Sequence, residues 1–297
     1  MRIGTRGSAL ALAQAGTVRA AIGDAELVPI RTSGDQGGAA PAANDDKSRF
    51  VREIERALLA GEVGLAVHSA KDLPGELPEG LELLGVPARE DPADAWIGAG
   101  SSVAEIPRGA RVGTASLRRR SELLALRPDL VIVDLHGNVD TRLRRLADGD
   151  LGGIVLAAAG LRRLGRGGEI AFTFSLDQLV PAPGQGSLAL EGRAGDEAVA
   201  GAAARITDHD ALVELTAERA VVAGLDASCD TPVGVCARHQ DGMLVLRGFA
   251  GLPDGSEQVR DLVEGDATQP VALGEALVER MAAAGALELL ARAEEMA

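Results

Sequence analysis

A chain of 297 residues, 46% of them apolar, has material for two or three hydrophobic cores. A net charge of −14, aromatics at only 2% and no Tyr argue against a nucleic-acid surface made of cationic grooves and stacking platforms. Two cysteines and four histidines argue against a disulfide framework and a zinc site, and no stretch is long enough to span a membrane.

The N-terminal segment MRIGTRGSALALAQA places Gly, Arg and Ser where a signal peptide needs a continuous apolar core, so a cytoplasmic protein is expected. Residues 2–5 read as a short strand and Thr5 to Ser8 as a turn. Ser8 caps a predicted helix from Ala9 to Ile22, stopped by Gly23. A strand follows from Glu26 to Thr32. Ser33 to Ser48 is a Gly/Ala/Asp-rich loop of the length used for functional lids or found disordered. Arg49 to Ala60 is amphipathic, with Phe50, Ile54, Ala57 and Leu58 on one face.

Next comes LAVHSAKDLP, Leu65 to Pro74. An apolar strand ends in His68, Ser69, Lys71 and Asp72, and Pro74 keeps it from continuing as a paired central strand. Open α/β sheets place ligand sites at such C-terminal strand ends. Taken alone, Lys71 and Asp72 read as a loop salt bridge. Other strand ends, however, carry anion-binding groups as well.

Leu81 to Val86 and Ala95 to Ala99 are further strands, with the acidic segment Glu90 to Ala95 between them. From Arg111 the strand-turn-helix pattern restarts. A strand to Thr114 precedes a Ser116-capped helix, Leu117 to Leu126. A strand Leu130 to Leu135 and a turn at His136-Gly137-Asn138 precede a helix Val139 to Ala147. A strand Gly153 to Ala158 then runs into Arg162 and Arg163. This alternation predicts a parallel sheet. LVPAPGQGSLALE, Leu179 to Glu191, reads as a crossover back to the first domain. Then come a helix Ala211 to Ala223, a Cys229 loop, a hairpin turning at Pro253-Asp254-Gly255, and one long helix from about Val271.

From Arg111 to Arg166 there are eleven Arg, no Lys and six carboxylates, a net of +5 inside a chain of −14. Arg144, Arg145 and Arg166 read as solvated helix faces. Arg118 and Arg119 follow Thr114 and Ser116 at a helix N-terminus, where backbone N–H groups and the helix dipole already favour anions, and the guanidinium fork suits carboxylates. Arg6 with Ser8, and Arg142 after Gly137 and Asn138, repeat the arrangement. The pattern suggests a substrate bearing many carboxylates. Cys236, in an apolar run, reads as a buried small residue. For Cys229, in a turn bounded by Ser and Pro, a buried residue and a nucleophilic or modified thiol both remain open.

Together these residues resemble the hydroxymethylbilane synthase (porphobilinogen deaminase) family. The resemblance runs along nearly the whole chain: RIGTRGSALALAQA, AVHSAKDLP, REDPADAW, VGTASLRRR, GNVDTRL, LAAAGLRRLG, PAPGQG, TAERA and the Cys229 loop, in family order and spacing. It implies an α/β fold of two periplasmic-binding-protein-like domains (1–87 with 187–205, and 93–181) with a cleft between them, and a smaller α+β domain (209–297). The implied activity is a transferase reaction of haem and porphyrin biosynthesis. It condenses four porphobilinogen molecules, with loss of ammonia, into the linear tetrapyrrole hydroxymethylbilane.

The family's primer is a dipyrromethane cofactor held as a thioether, and Cys229 matches its anchor. Asp72 matches the catalytic acid. Ser69, Lys71, Asp72, Thr114, Ser116, Arg118, Arg119, Gly137 and Asn138 match cofactor-binding positions. Arg6, Ser8, Lys47, Phe50, His136, Arg142, Arg163 and Gln185 match substrate-side positions. No metal, nucleic acid or membrane is implied, and a monomer is expected.

Two departures stand out. Asp45-Asp46-Lys47-Ser48-Arg49-Phe50 replaces the family's glycine-rich lid, and His136 stands where the family usually has Arg, removing a permanent charge. They keep in view a paralogue with weakened or altered activity; a separate rival is a non-catalytic two-domain anion-binding protein, which would need neither Asp72 nor an anchored Cys229.

Overall fold

The computed structural model describes residues 1–32, 48–227 and 231–296, without the side chains of residues 48–50. The expected lid with Lys47, the Phe50 side chain and Cys229 lie outside the described residues.

The chain begins β1 (Arg2–Arg6), α1 (Ala9–Ile22), β2 (Glu26–Ile30), α2 (Ser48–Leu59), β3 (Leu65–Ser69) and β4 (Leu81–Gly85). It continues β5 (Asp94–Gly98), β6 (Arg111–Gly113), α3 (Leu117–Leu126), β7 (Val131–Val133), α4 (Val139–Ala147), β8 (Gly153–Ala157), α5 (Ala158–Arg163) and β9 (Phe172–Thr173). Then follow β10 (Leu188–Arg193), α6 (Glu197–Ala204), α7 (His209–Gly224), β11 (Val233–Gln240), β12 (Met243–Gly251), β13 (Gln258–Gly265), α8 (Pro270–Ala283) and α9 (Ala286–Glu295). Two compact units result: Met1–Glu90 with Gly186–Leu215, and Asp91–Gln185 with Thr216–Ala297.

The first unit holds a five-stranded sheet in the order β2-β1-β3-β10-β4. β1 runs parallel to β2 and β3, and β10 runs antiparallel to β3 and β4. On one side Ile3, Leu65, Val67, Leu188 and Leu190 pack with Ala15 and Val18 of α1. Elsewhere in the unit Ile54, Ala57 and Leu58 of α2 pack against Val63, Ala66 and Leu81. These are the apolar positions of the amphipathic pattern in Arg49 to Ala60, buried as a helix stripe should be.

The second unit holds a sheet ordered β7-β6-β8-β5-β9 and an antiparallel sheet β11-β12-β13. Here β6 is parallel to β7 and β8, while β5 is antiparallel to β8 and β9. Both five-stranded sheets are therefore mixed, not parallel throughout. The strand-helix alternation correctly gives the parallel pairs. It carries no information on β5 and β10, which enter by long connections without a preceding helix of their own. The segment Leu179 to Glu191 is a crossover only in its first part; from Leu188 it is a paired strand inside the first unit's sheet.

Two more expectations change at the C-terminus. The hairpin at Pro253-Asp254-Gly255 joins β12 to β13, but β11 precedes it, and the apolar run around Cys236 is that strand, with Cys236 fully buried. The single long helix is two. Gly285 takes φ +90°, a left-handed conformation that glycine tolerates, and ends α8 while opening α9. Among the described residues no helix is long and apolar enough to cross a membrane.

Candidate active site

In the first unit the C-terminal edge of β1 and β3 gathers the predicted groups. Arg6 ends β1, and Ser8 Oγ accepts from the backbone N–H of Ala11 (3.3 Å), capping α1 as its sequence position predicts. Ser69 ends β3. Its hydroxyl lies 2.9 Å from Nε2 and 3.1 Å from Oε1 of Gln14, a buried α1 residue that the sequence reading passed over. Lys71 and Asp72 lie in a 3-10 turn, Ala70–Asp72. That turn is held at both ends. Ala70 N–H donates to Ser187 O (3.0 Å), and Ala70 and Leu73 are buried with Val86, Ala189 and Leu215. Two apolar anchors thus fix a two-residue polar step, with Lys71 and Asp72 half-buried. Directly before it, His68 Nε2 meets Glu191 Oε2 at 2.9 Å, a buried pair across β3 and β10.

In the second unit α3, α4 and α5 each follow one of the three parallel strands β6, β7 and β8, so their N-termini share one sheet edge. Thr114 Oγ1 accepts from Ser116 N–H (3.2 Å), and Ser116 Oγ accepts from Arg119 N–H (3.4 Å). Both hydroxyls keep their own proton to donate. Gly137 has φ +106°, which lets the chain turn sharply into α4. Asn138 Oδ1 caps that helix at Thr141 N–H (2.9 Å), and Arg142 Nε donates to Gly137 O (2.8 Å). His136 is exposed at this turn, and Arg163 ends α5 half-buried.

Arg118 and Arg119 are not surface forks. They are 4% and 5% exposed and converge on Asp94, the first residue of β5, itself wholly buried. Asp94 Oδ1 accepts from Arg119 Nε (3.0 Å), Arg119 Nη2 (2.7 Å) and Gln185 Nε2 (2.9 Å), and Oδ2 lies 2.8 Å from Arg118 Nη1. Arg119 also donates to Val155 O (3.1 Å) and Gln185 Oε1 (3.4 Å), so each of its three guanidinium nitrogens has a partner within the protein. Gln185, read as a substrate-side residue, is likewise fully buried and donates to Pro92 O (2.7 Å). Burial acts to raise the Asp94 pKa, but the two guanidinium groups prevail and hold it well below the usual carboxylate range.

Glu122, one turn along α3, accepts from Arg118 Nη1 (2.9 Å), Val180 N–H (2.6 Å) and Arg260 Nη2 (3.2 Å). Burial pushes its pKa up to about 7 against the pull of those donors. Neither Asp94 nor Glu122 was singled out from the sequence. The available clue is a carboxylate among residues that otherwise read as core: Asp94 beside the apolar run Ala95 to Ile97, and Glu122 beside Leu123.

Residues 1–201 match the family model "Porphobilinogen deaminase, dipyromethane cofactor binding domain", and residues 212–283 match "Porphobilinogen deaminase, C-terminal domain". The chain belongs to the porphobilinogen deaminase family. It is 48% identical to the porphobilinogen deaminase of Roseiflexus sp. (strain RS-1), covering 97% of this chain and 98% of that one. With those of Deinococcus radiodurans and Thermus thermophilus it shares 44%, covering 99% and 98% of this chain and 98% of each relative.

The residues present fit the family's dipyrromethane. Both hydrogen bonds that the Arg118 guanidinium makes among the described residues, and its ion pair with Asp94, run through Nη1, and its Nε is buried with no partner. An orphaned guanidinium donor is costly in a finished structural network but suits one that receives a ligand carboxylate. The Thr114 and Ser116 hydroxyl protons, beside the N-terminus of α3, are donors of the same kind.

Proposed function

We propose that this chain condenses porphobilinogen on a dipyrromethane primer anchored at Cys229, with Asp72 as the catalytic acid. The product is hydroxymethylbilane, on the route to tetrapyrroles. Four porphobilinogen molecules lose four ammonia molecules, and one water releases the product. The observation that carries the reading is the pair of family matches across residues 1–201 and 212–283, which together take in every site motif. The two-domain anion-binding alternative is not favoured, because it calls for neither the C-terminal domain match nor the cofactor-domain match.

When bound, the dipyrromethane supplies the nucleophilic pyrrole on which the product is built. Arg118, Thr114, Ser116, Ser69 and Lys71 would hold its acid side chains through charge-assisted hydrogen bonds. Arg6, Ser8, Arg142 and Arg163 serve the acid groups of each incoming ring. Asp72 gives a proton to the departing amine, so that nitrogen leaves as ammonia and the carbon–nitrogen bond electrons go with it. The Asp72 carboxylate then faces the cation left on the methylene-pyrrole and stabilises it electrostatically. Asp72 would then take back a proton, restoring the acid for the next porphobilinogen. Its place in a turn clamped by Ala70 and Leu73 suits a group that serves four successive rings without moving far.

Turnover with porphobilinogen tests the reading. The expected result is one ammonia released per porphobilinogen consumed, with a linear tetrapyrrole as product. Binding of porphobilinogen without ammonia release would replace the enzyme with the anion-binding alternative.

A further inference from the structure

Asp94 stands apart from the residues that the family match assigns. It lies at the start of β5, and its antiparallel register opposite Ala157 brings it to the edge where the parallel strands end. There it holds two consecutive arginines of the first turn of α3. Residues i and i+1 of a helix diverge by about 100°, so both reach one carboxylate only if each is deliberately bent to it. Burying a carboxylate is expensive unless it is paired. One arginine would have been enough to pair it, and Arg119 alone already donates twice to Oδ1. Oδ2 accepts no hydrogen bond and faces Arg118 as an ion pair, 2.8 Å from the terminal Nη1. The two hydrogen bonds of Arg118, to Glu122 Oε2 and Val180 O, use the same Nη1.

We propose that Asp94 is a positioning residue for carboxylate recognition. Its charge holds the Nη1 end of Arg118 at the β5 edge, beside the bonds to Glu122 and Val180 O, so that the Nε side of the guanidinium stays available to an acid group of a bound pyrrole. Arg119 and Gln185 act one layer further back, fixing the Asp94 carboxylate itself. This rests on the reading of Arg118 as a ligand-holding arginine, and it adds the group that sets its orientation. A guanidinium presenting the wrong edge keeps its charge but loses its directional bonds, which is the kind of misplacement that costs about tenfold or more in function.

The test is a cycle of Asp94→Asn, Arg118→Gln and the double variant. Each is measured as purified full chain for dipyrromethane loading by intact mass, and for KM and kcat with porphobilinogen. Asp94→Asn is expected to lower loading and raise KM by about tenfold or more. The double variant is expected to be no worse than Arg118→Gln, because Asp94 acts through Arg118. A merely structural Asp94 would lower the melting temperature while leaving loading and KM of the folded molecules unchanged, and that result overturns the proposal. Additive losses in the double variant overturn it too. If Asp94→Asn does not fold alone, comparing the double variant, which removes opposite charges together, with Arg118→Gln still decides. Normal loading and KM in Arg118→Gln would instead remove the reading of Arg118 on which the proposal stands.

Discussion

At the scale of single residues, the account turns on two carboxylates in opposite settings. Asp72 is half-buried in a clamped turn, and Asp94 is sealed among guanidinium groups. The first is the acid of the proposed function; the second, held well below the usual range, stays an anion at every working pH. Asp72→Asn preserves shape and loses both the proton and the charge. Turnover is expected to fall by at least about 10²-fold, the low end for a general acid, with the cofactor still attached, as single-turnover kinetics and intact mass would register. Near-normal turnover would remove Asp72 from the role. The sequence announced Asp72, because a strand that stops in Lys-Asp-Leu-Pro is visible locally. It did not announce Asp94, since a carboxylate's burial depends on Arg119 and Gln185, 25 and 91 residues away.

At the scale of elements, the helices were the most legible part. α1, α3 and α4 span the predicted residues; Ser8 and Ser116 accept a backbone N–H at the predicted caps, and Asn138, predicted only as part of a turn, does the same for α4. What eluded the sequence was pairing between distant segments: the antiparallel β5 and β10, and the β11 strand. The segment after Leu179 shows why.

It is fixed to β11 by Val235 N–H donating to Pro181 O (2.9 Å), and by Glu218, whose buried carboxylate accepts from Gly184 N–H (2.6 Å) and Ala237 N–H (2.7 Å). Gly234 allows this close approach: a Cβ there would lie 2.5 Å from Val180 O. Backbone cannot yield as a flexible side chain does, so Gly234→Ala should destabilise the fold by about 1–3 kcal/mol, measured as a lowered denaturant midpoint. An unchanged midpoint would mean that this segment is not seated on β11 as described.

At the scale of the whole molecule, Glu122 links stability to pH. It joins α3, the segment at Val180 and β13 through Arg260. Its folded pKa, about 7, lies above the ordinary 4.5, so the folded form binds the proton more tightly than the unfolded chain. The resulting stabilisation is complete below about pH 4.5 and is lost as pH rises through about 7. The charged groups facing Glu122 are Arg118, Arg260 and, more distantly, Asp94, none of which changes charge in that window. Unfolding midpoints of the wild-type chain should therefore fall between pH 5 and pH 8, and Glu122→Gln should flatten that slope. An equal slope in the variant would place the titration elsewhere. The charge pattern of the sequence showed a cationic segment inside an acidic protein. It could not show that two of those arginines, Arg118 and Arg119, are internal and answer to Asp94 and Glu122.

The central claim, that this chain is a primer-carrying synthase, is tested most directly by the intact mass of the purified protein after expression with normal haem synthesis. The mass should exceed that of the bare sequence by one dipyrromethane unit. Cys229→Ser should remove the excess, and Cys236→Ser, in a buried strand position, should leave it. A mass equal to the bare sequence, or an adduct that survives Cys229→Ser, would contradict the account.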